Sequence, residues 1–579
     1  MNQTYALTAV TAVVLATVLV GALGLRMSRT TSDFYVASRT VGPRLNAAAI
    51  SGEYLSAASF LGIAGLVLLQ GPAMLWYPVG YTAGYLVLLV LVAAPLRRSG
   101  AYTLPDFAEA RLQSRAVRRI SVLFVVGVGW LYLLPQLQGA GLTLEILTGA
   151  PHWVGGLVVA CVVTAAVAAG GMRSITFVQA FQYWLKLTAL LVPAFFLLAA
   201  WAGDGAPRAT LDAPATFREH TVVTLAEDVR LSVAAPLTLT VTGTVDGRAH
   251  DGQVVTLSAG RHEVRAATRL EFLPGSAVPR TRPAAGMGVS SWSQPLSGPQ
   301  DGHRLYATYG LILATFLGTM GLPHVAVRFY TSPDGRAARR TTLVVLGLVG
   351  AFYLLPAVYG ALGRLYAPEL ALTGDADAAV LVLPERMVGG TLGDLLGALL
   401  AGGAFAAFLS TASGLTVAVA GVLHQDVLPG RARTVSAFRY AAPAAMAVPL
   451  AGSVAATDVP VADAVGLAFA VSASSFCPLL VLGIWWRGLT PPGAVAGLLT
   501  GGGAALSAVL ATRAGLAPAG WVHTLLAWPA VWSVPLGFLT MAGVSLATRS
   551  RIPPGTAATL TRLHLPEDVA AHPPAGGHR

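Results

Sequence analysis

Residues 51–63 read SGEYLSAASFLGI and place a carboxylate, Glu53, beside the hydroxyls of Tyr54, Ser56 and Ser59 in a run otherwise apolar enough to enter a bilayer. An ionisable side chain in mid-membrane costs about 2.5–3.5 kcal/mol or more, so it stands as a functional residue until shown otherwise. A second polar cluster lies in GGAFAAFLSTASGLTVAVAG, where Ser410, Thr411 and Ser413 sit deep in an apolar run with Ala407 one turn before Ser410. A hard monovalent cation seeks oxygen ligands, and two adjacent hydroxyls with the carbonyls of a loosened helix can replace its water without burying a second full charge. Serine and threonine in a membrane helix also bond back to their own carbonyl one turn earlier, and spacing alone leaves both readings open. A third feature, LYATYGLILATFLGTMGLPHVAVRF, is interrupted by Gly318, Gly321 and Pro323.

The elements that hold these residues must span a membrane. With 55% hydrophobic and 11% charged residues, the 579-residue chain falls far from a soluble domain, where about 25% of residues are charged. Thirteen apolar spans are expected near residues 5–25, 45–69, 75–95, 120–147, 152–170, 181–202, 305–326, 342–362, 391–423, 435–456, 463–485, 493–512 and 521–546. The opening MNQTYALTAV lacks a basic region and reads as a retained first helix. Arginines crowd alternate loops (Arg26, Arg29, Arg39, Arg44; Arg97, Arg98, Arg111, Arg115, Arg118, Arg119; Arg173, Arg328, Arg336, Arg339, Arg340, Arg431, Arg433, Arg487), whereas the opposite short loops hold Arg364, Arg386 and Arg513. The positive-inside rule then puts the amino terminus outside and the carboxyl terminus in the cytoplasm. The broken spans two and seven lie five spans apart, the pointer to inverted repeats made of spans two to six and seven to eleven. Small residues that merely let helices pack closely would account for the glycines singly.

The organisation that follows is helices one to six over residues 1–202, an external insert over 203–302, helices seven to thirteen over 303–547, and a disordered cytoplasmic tail over 548–579. Within the insert, PLTLTVTGTV alternates Leu237, Leu239, Val241 and Val245 against threonines, and Asp246-Gly247 and Asp251-Gly252 offer turns, so a small β-rich domain is expected. It is a tolerated cap or the seat of an unidentified partner. Cys161 and Cys477 both fall in apolar runs, which argues against a disulfide framework or a cysteine metal site. The histidines show no metal-ligand spacing and the Gly-rich pieces lack a phosphate-loop lysine, so no enzyme, cofactor or nucleic-acid partner is indicated. The net charge of +11 is almost wholly arginine, with Lys186 the one lysine, and reads as genome composition.

The stretches DFYVASR at 33–39, SGEYLSAASFLGI, YTLPDFAEARL at 102–112, YLLPQLQGAG at 132–141, GGMRSITFVQAFQ at 170–182, GTMGLPHVAVRFYTSPDGRAARR at 318–340 and VGLAFAVSAS at 465–474 together resemble the sodium:solute symporters, and within them the cation/acetate symporters. The resemblance runs through nearly the whole chain except 203–302 and the tail. It implies a LeuT-like five-plus-five core with one helix before it and two after. It further implies a sodium site from the carbonyls of Gly52, Leu55 and Ala407 and the hydroxyls of Ser410 and Thr411. Because some acetate permeases are apolar at that hydroxyl pair, its presence favours sodium over proton. The chain departs from the wider family at Gln179, where an Asp is usual before span six, as the acetate subgroup also tends to. By the shared fold, Tyr54, Ser59 and Glu53 beside the break, with Tyr132 and Gln136 from span four, would meet the substrate. His324 and Arg328, at the inner end of span seven, read with Gln179 as gate or topology anchors. The resemblance thus implies sodium-coupled import of a short monocarboxylate such as acetate, propionate or pyruvate across a bacterial cytoplasmic membrane. Proton coupling through Glu53, sodium symport of another small solute, and a solute sensor are the rivals.

Overall fold

The computed structural model describes residues 2–25, 36–207, 215–225, 227–280, 303–427, 435–455, 461–518 and 520–567. The last part of the insert and the end of the tail, as well as the start of DFYVASR, lie outside the described residues.

The chain is mostly helical. The helices that matter for the site are α1 (Gln3–Leu25), α2 (Pro43–Tyr54), α3 (Ala58–Arg98), α4 (Arg115–Thr148), α5 (His152–Gly203), α6 (Arg304–Gly321), α7 (Pro323–Phe329), α8 (Gly335–Tyr366), α9 (Gly390–Val422), α10 (Val435–Ala455), α11 (Val461–Trp485), α12 (Pro491–Arg513) and α13 (Ala530–Ala547). Among the described residues nine helices are long and apolar enough to cross a membrane, or ten with the bent pair α6 and α7 taken as one span. The expected count of thirteen is higher because it divides the long elements. The two longest elements, α3 with 41 residues and α5 with 52, far exceed the roughly 20 residues that cross a hydrocarbon core of about 30 Å, and each divides where the sequence separates two spans, near residues 70–75 and 170–181. Each is bent at a glycine of positive φ, Gly71 at 77° and Gly171 at 58°, a conformation that a Cβ would oppose.

Both expected interruptions are present. α2 ends at Leu55, whose φ and ψ of −76° and 90° are extended, and helix resumes at Ala58. α6 stops at Leu322, also extended, and Pro323 restarts the chain as α7 at a bend of 44°; proline suits a first helical position because its missing N–H has no intrahelical partner there. The two broken helices touch. Tyr54 Oη lies 2.8 Å from Thr319 Oγ1, and Asn46 Nδ2 donates to the Arg328 carbonyl at 3.3 Å. Beside them, α5 packs along α2 and along α9, so residues from four elements converge on the break in α2.

Residues 221–272 form a six-stranded antiparallel sheet: β1 (Thr221–Thr224), β2 (Val229–Val233), β3 (Leu237–Val245), β4 (Arg248–Leu257), β5 (Gly260–Val264) and β6 (Arg269–Phe272), in the order β1-β6-β3-β5-β2 with β4 on β3. The alternation holds, since Leu237, Leu239, Val241 and Val245 are buried. Asp246 and Gly247, at φ 50° and 75°, close the β3–β4 hairpin between paired Val245 and Arg248, the left-handed pair that a two-residue turn requires. Asp251-Gly252 is not a second turn. It lies inside β4, opposite the register shift between Val241 and Gly243, where an extra residue is absorbed as a bulge.

The tail is not disordered throughout. Helix α14 (Thr556–His564) buries Leu560 and Leu563 and packs beside residues 93–98, where Arg98 Nη1 donates to the His564 carbonyl at 3.0 Å and Arg562 Nη2 to the Ser99 carbonyl at 3.0 Å. Leucines three apart form an apolar stripe on one helix face, and that stripe needs a surface to cover it.

Candidate functional site

The break in α2 frees backbone groups on both of its edges. On the far edge, the Ala57 N–H donates to Gln136 Oε1 of α4 at 2.9 Å, while Gln136 Nε2 donates to the Tyr132 carbonyl at 3.3 Å. Gln136, expected beside the substrate, thus caps an N–H that the break frees and uses one of its two amide hydrogens on its own helix. On the near edge, the carbonyls of Gly52 and Leu55 meet the ammonium of Lys186, which reaches in from α5. The Leu55 contact is 2.6 Å, and a third acceptor, Ser410 Oγ of α9, lies at 2.6 Å. Ser410 in turn donates to the Gly52 carbonyl at 2.7 Å and approaches the Ala407 carbonyl at 3.1 Å, and Thr411 donates to the Glu53 carbonyl at 2.6 Å. Four of the five oxygens expected around a cation, those of Gly52, Leu55, Ala407 and Ser410, are thus linked to one another, with the lysine nitrogen in contact with three of them, while the fifth, Thr411 Oγ1, is turned to the Glu53 carbonyl.

A buried ion pair adjoins this cage. Arg328 Nε lies 2.5 Å from Glu53 Oε2, with side-chain exposures of 1% and 2%. The same guanidinium donates to Thr176 Oγ1 at 2.9 Å and to Gln179 Oε1, and Gln179 Nε2 donates to the Ser410 carbonyl at 2.8 Å. One chain of contacts therefore runs Glu53, Arg328, Gln179, Ser410, Lys186. Arg328 and His324 are both buried in the protein. Close backbone approach makes this possible at two glycines: a Cβ on Gly52 would fall on the Gln179 carbonyl, and one on Gly414 would fall on the Glu53 carboxylate.

The other side of the break is walled by rings. Tyr54 stands edge-on to Tyr85 at 4.8 Å, Phe469 contacts Tyr54 and Tyr132 at 6.3 and 5.8 Å, and Tyr132 meets His324 at 5.2 Å. The hydroxyls of Tyr54 and Ser59 are engaged, the first with Thr319 and the second with Tyr353 at 2.8 Å. Among the described residues, Tyr85 Oη and both ring nitrogens of His324 are buried without a hydrogen-bond partner, while the Ser56 hydroxyl is within hydrogen-bond reach of Tyr132. Of the residues singled out from sequence, all those of the cation set lie at the break, and Tyr54, Ser59, Tyr132 and Gln136 surround it. The sequence reading missed Lys186, Tyr85, Thr176 and Tyr353 as participants. For Lys186 a signal existed: a single lysine, placed inside an apolar span of an otherwise arginine-only chain.

This geometry has known counterparts. The family model described as the sodium:solute symporter family matches residues 34–234 and 297–501, the greater part of the chain. A curated relative named monocarboxylic acid transporter, from Corynebacterium glutamicum, is 29% identical over 542 residues, covering 89% of this chain and 87% of its own. An uncharacterized symporter from Bacillus subtilis, YwcA, is 28% identical over 545 residues, with 91% of each chain covered. The solved structure of a Na+-coupled sialic acid symporter, in a substrate-bound outward-open state, superposes with a TM-score of 0.60 over 93% of this chain and 98% of its own, at 13% identity. The fold is that of this transporter class.

Proposed function

Because the chain belongs to the sodium:solute symporter family, we propose that it imports a short-chain monocarboxylate, of the size of acetate, propionate or pyruvate, by alternating access driven by a cation gradient. The protein is a solute transporter, not an enzyme, and its multiple apolar helices make it a multi-pass membrane protein. We place it in the bacterial cytoplasmic membrane with its arginine-rich loops and its carboxyl terminus inside, following the charge rule. Family membership supports sodium as the coupling ion.

The observation that carries the substrate reading is the set of unpaired buried groups at the helix break: Tyr85 Oη and the His324 ring. A buried polar group left without a partner costs about 1–3 kcal/mol, so these groups gain most from a ligand that accepts hydrogen bonds. A carboxylate offers two acceptor oxygens, and the rings of Tyr54, Tyr132 and Phe469 leave a short alkyl chain an apolar wall. A polyhydroxylated solute would need more polar partners than these rings supply. The relative named for monocarboxylic acids supports the same class. In this reading Glu53, Arg328, Thr176 and Gln179 form the inner gate: their chain of bonds closes the passage between α2, α5 and α7, and opening inward requires it to part. Residues 221–272 form an external cap.

The test is uptake of radiolabelled acetate by proteoliposomes under an imposed sodium or proton gradient, with unlabelled pyruvate, propionate, proline and glucose as competitors. Gradient-driven accumulation blocked by the short acids supports the reading. Accumulation blocked by proline or glucose and indifferent to the acids refutes the substrate class, and no accumulation under either gradient refutes ion-driven import.

A further inference from the structure

We infer that Lys186 is a built-in replacement for the sodium ion at the break in α2, so that this cage binds no sodium in the wild-type protein. The inference deepens the transport reading given above at one point, the identity of the cation between α2 and α9, and it does not depend on which solute is carried.

The last turn of α2 presents carbonyls without intrahelical partners, as every helix end does, and the negative end of its dipole faces the same place. That turn has no basic residue of its own. The charge comes instead from α5, 134 residues further along the chain, as the Lys186 ammonium. An ammonium has three N–H donors and no acceptor. Here each donor has an oxygen: the carbonyls of Gly52 and Leu55 and Ser410 Oγ. Ser410 can accept from Lys186 because its own hydrogen is directed to a backbone carbonyl, that of Gly52 or Ala407. The polarity of every bond is therefore consistent with one positive charge at the centre. A sodium ion would use these same three oxygens, and it could not share the space with a nitrogen already in contact with all of them.

The residue type fits the role. Lysine carries a compact point charge on a flexible stem, whereas the planar arginine fork needs acceptors arranged in a plane. In a chain whose basic residues are otherwise all arginine, the one lysine stands where a compact charge is required. Lys186 is fully buried, and Gln179, about two helical turns earlier on α5, joins Ser410 to the Glu53–Arg328 pair. The fixed charge thus holds α5, α2 and α9 together in the way that a bound ion would otherwise have to.

The experiment measures equilibrium binding of radioactive sodium to the purified full-length protein, which needs no substrate and no transport. Wild-type protein is expected to show no saturable sodium binding suppressed by Ser410→Ala. Lys186→Ala and Lys186→Gly are expected to gain saturable binding of about one ion per chain, lost again when Ser410→Ala and Thr411→Ala are added. Saturable binding to the wild type that disappears with Ser410→Ala overturns the inference, because the cage would then accept sodium with its lysine in place. Properly folded Lys186 variants that bind no sodium also overturn it, since Lys186 would be a helix cap in a place that is no cation site. The wild-type measurement stands even where a Lys186 variant fails to fold. A failure of acetate uptake alone refutes only the substrate reading and leaves this inference as it was.

Discussion

Cutting the Glu53–Arg328 pair from its two sides is predicted to have unequal effects. At 2.5 Å and with exposures of 1% and 2%, it is a pair whose disruption leaves an uncompensated buried charge, at about 3–5 kcal/mol. Glu53→Gln leaves the guanidinium two neutral acceptors already in contact, Thr176 Oγ1 and Gln179 Oε1; the loss is expected near the lower end, about 3 kcal/mol. Arg328→Met leaves the Glu53 carboxylate without its ion pair and also strips Thr176 and Gln179 of a donor, so the loss is expected near the upper end, about 5 kcal/mol. When both charges are removed together, no isolated charge remains, and replacing a buried pair by neutral groups of like volume is often close to neutral. The double variant is therefore predicted to be more stable than Arg328→Met alone, with a coupling of several kcal/mol between the sites. Unfolding of the purified proteins in detergent, followed by tryptophan fluorescence, gives the three losses. Two results would refute the reasoning: additive losses, which would mean the side chains do not share one network, or a milder effect of Arg328→Met than of Glu53→Gln.

Gly414→Ala places a methyl group on the Glu53 carboxylate, and overpacking of this kind costs about 1–3 kcal/mol; initial uptake should fall about tenfold or more while membrane insertion is normal, and wild-type uptake would show that α2 and α9 can separate without loss. Gln136→Leu orphans the Ala57 N–H and should lose about 1–3 kcal/mol, whereas Gln136→Glu keeps the acceptor and should lose less; equal losses in unfolding experiments would count against a capping role. Tyr85→Phe should raise the KM for the carried acid with little change in stability, since the hydroxyl has no partner to lose, and an unchanged KM would remove Tyr85 from the substrate site. In the β domain, His262 Nδ1 lies 2.6 Å from Asp246 Oδ2. Burial opposes both charges, yet the bonds they make outweigh it, so His262 titrates above its ordinary 6.5 and Asp246 below its ordinary 3.8. A raised histidine stabilises fully below about 6.5 and loses this as pH rises through its folded value; a lowered aspartate stabilises above about 3.8 and loses this as pH falls through its folded value. Hydrogen-exchange protection of β3 to β5 in the full-length protein should therefore be greatest between about pH 4 and 6.5 and decline above it, with His262→Ala removing the decline; a flat wild-type profile would refute the coupling.

How far the sequence could be read depended on whether a residue's partner was local. The two helix breaks were legible because their causes, Gly52 to Ser56 and Gly318 to Pro323, lie within a few residues of their effects. Strand β3 was legible because alternating burial is a property of the strand itself. Asp251-Gly252 was misread because a bulge and a turn use the same residues and differ only in what lies across the sheet. The helix in the tail was missed because Leu560 and Leu563 become a buried face only when residues 93–98 are beside them. Gln136 shows the same limit at the site: its amide looked available for a solute, and only the fold reveals the N–H that the break creates for it. Lys186 is the most instructive case, because composition alone made it look incidental. Of 37 basic residues it is the one that is not arginine. A compositional bias explains why arginine is everywhere else, but it cannot explain an exception that stands in mid-span, buried, with an oxygen for each of its three donors. The exception to the bias, rather than the bias, carried the chemistry: in an arginine-rich membrane protein, a solitary lysine inside a span marks a place where a compact positive charge is needed and a planar one does not serve.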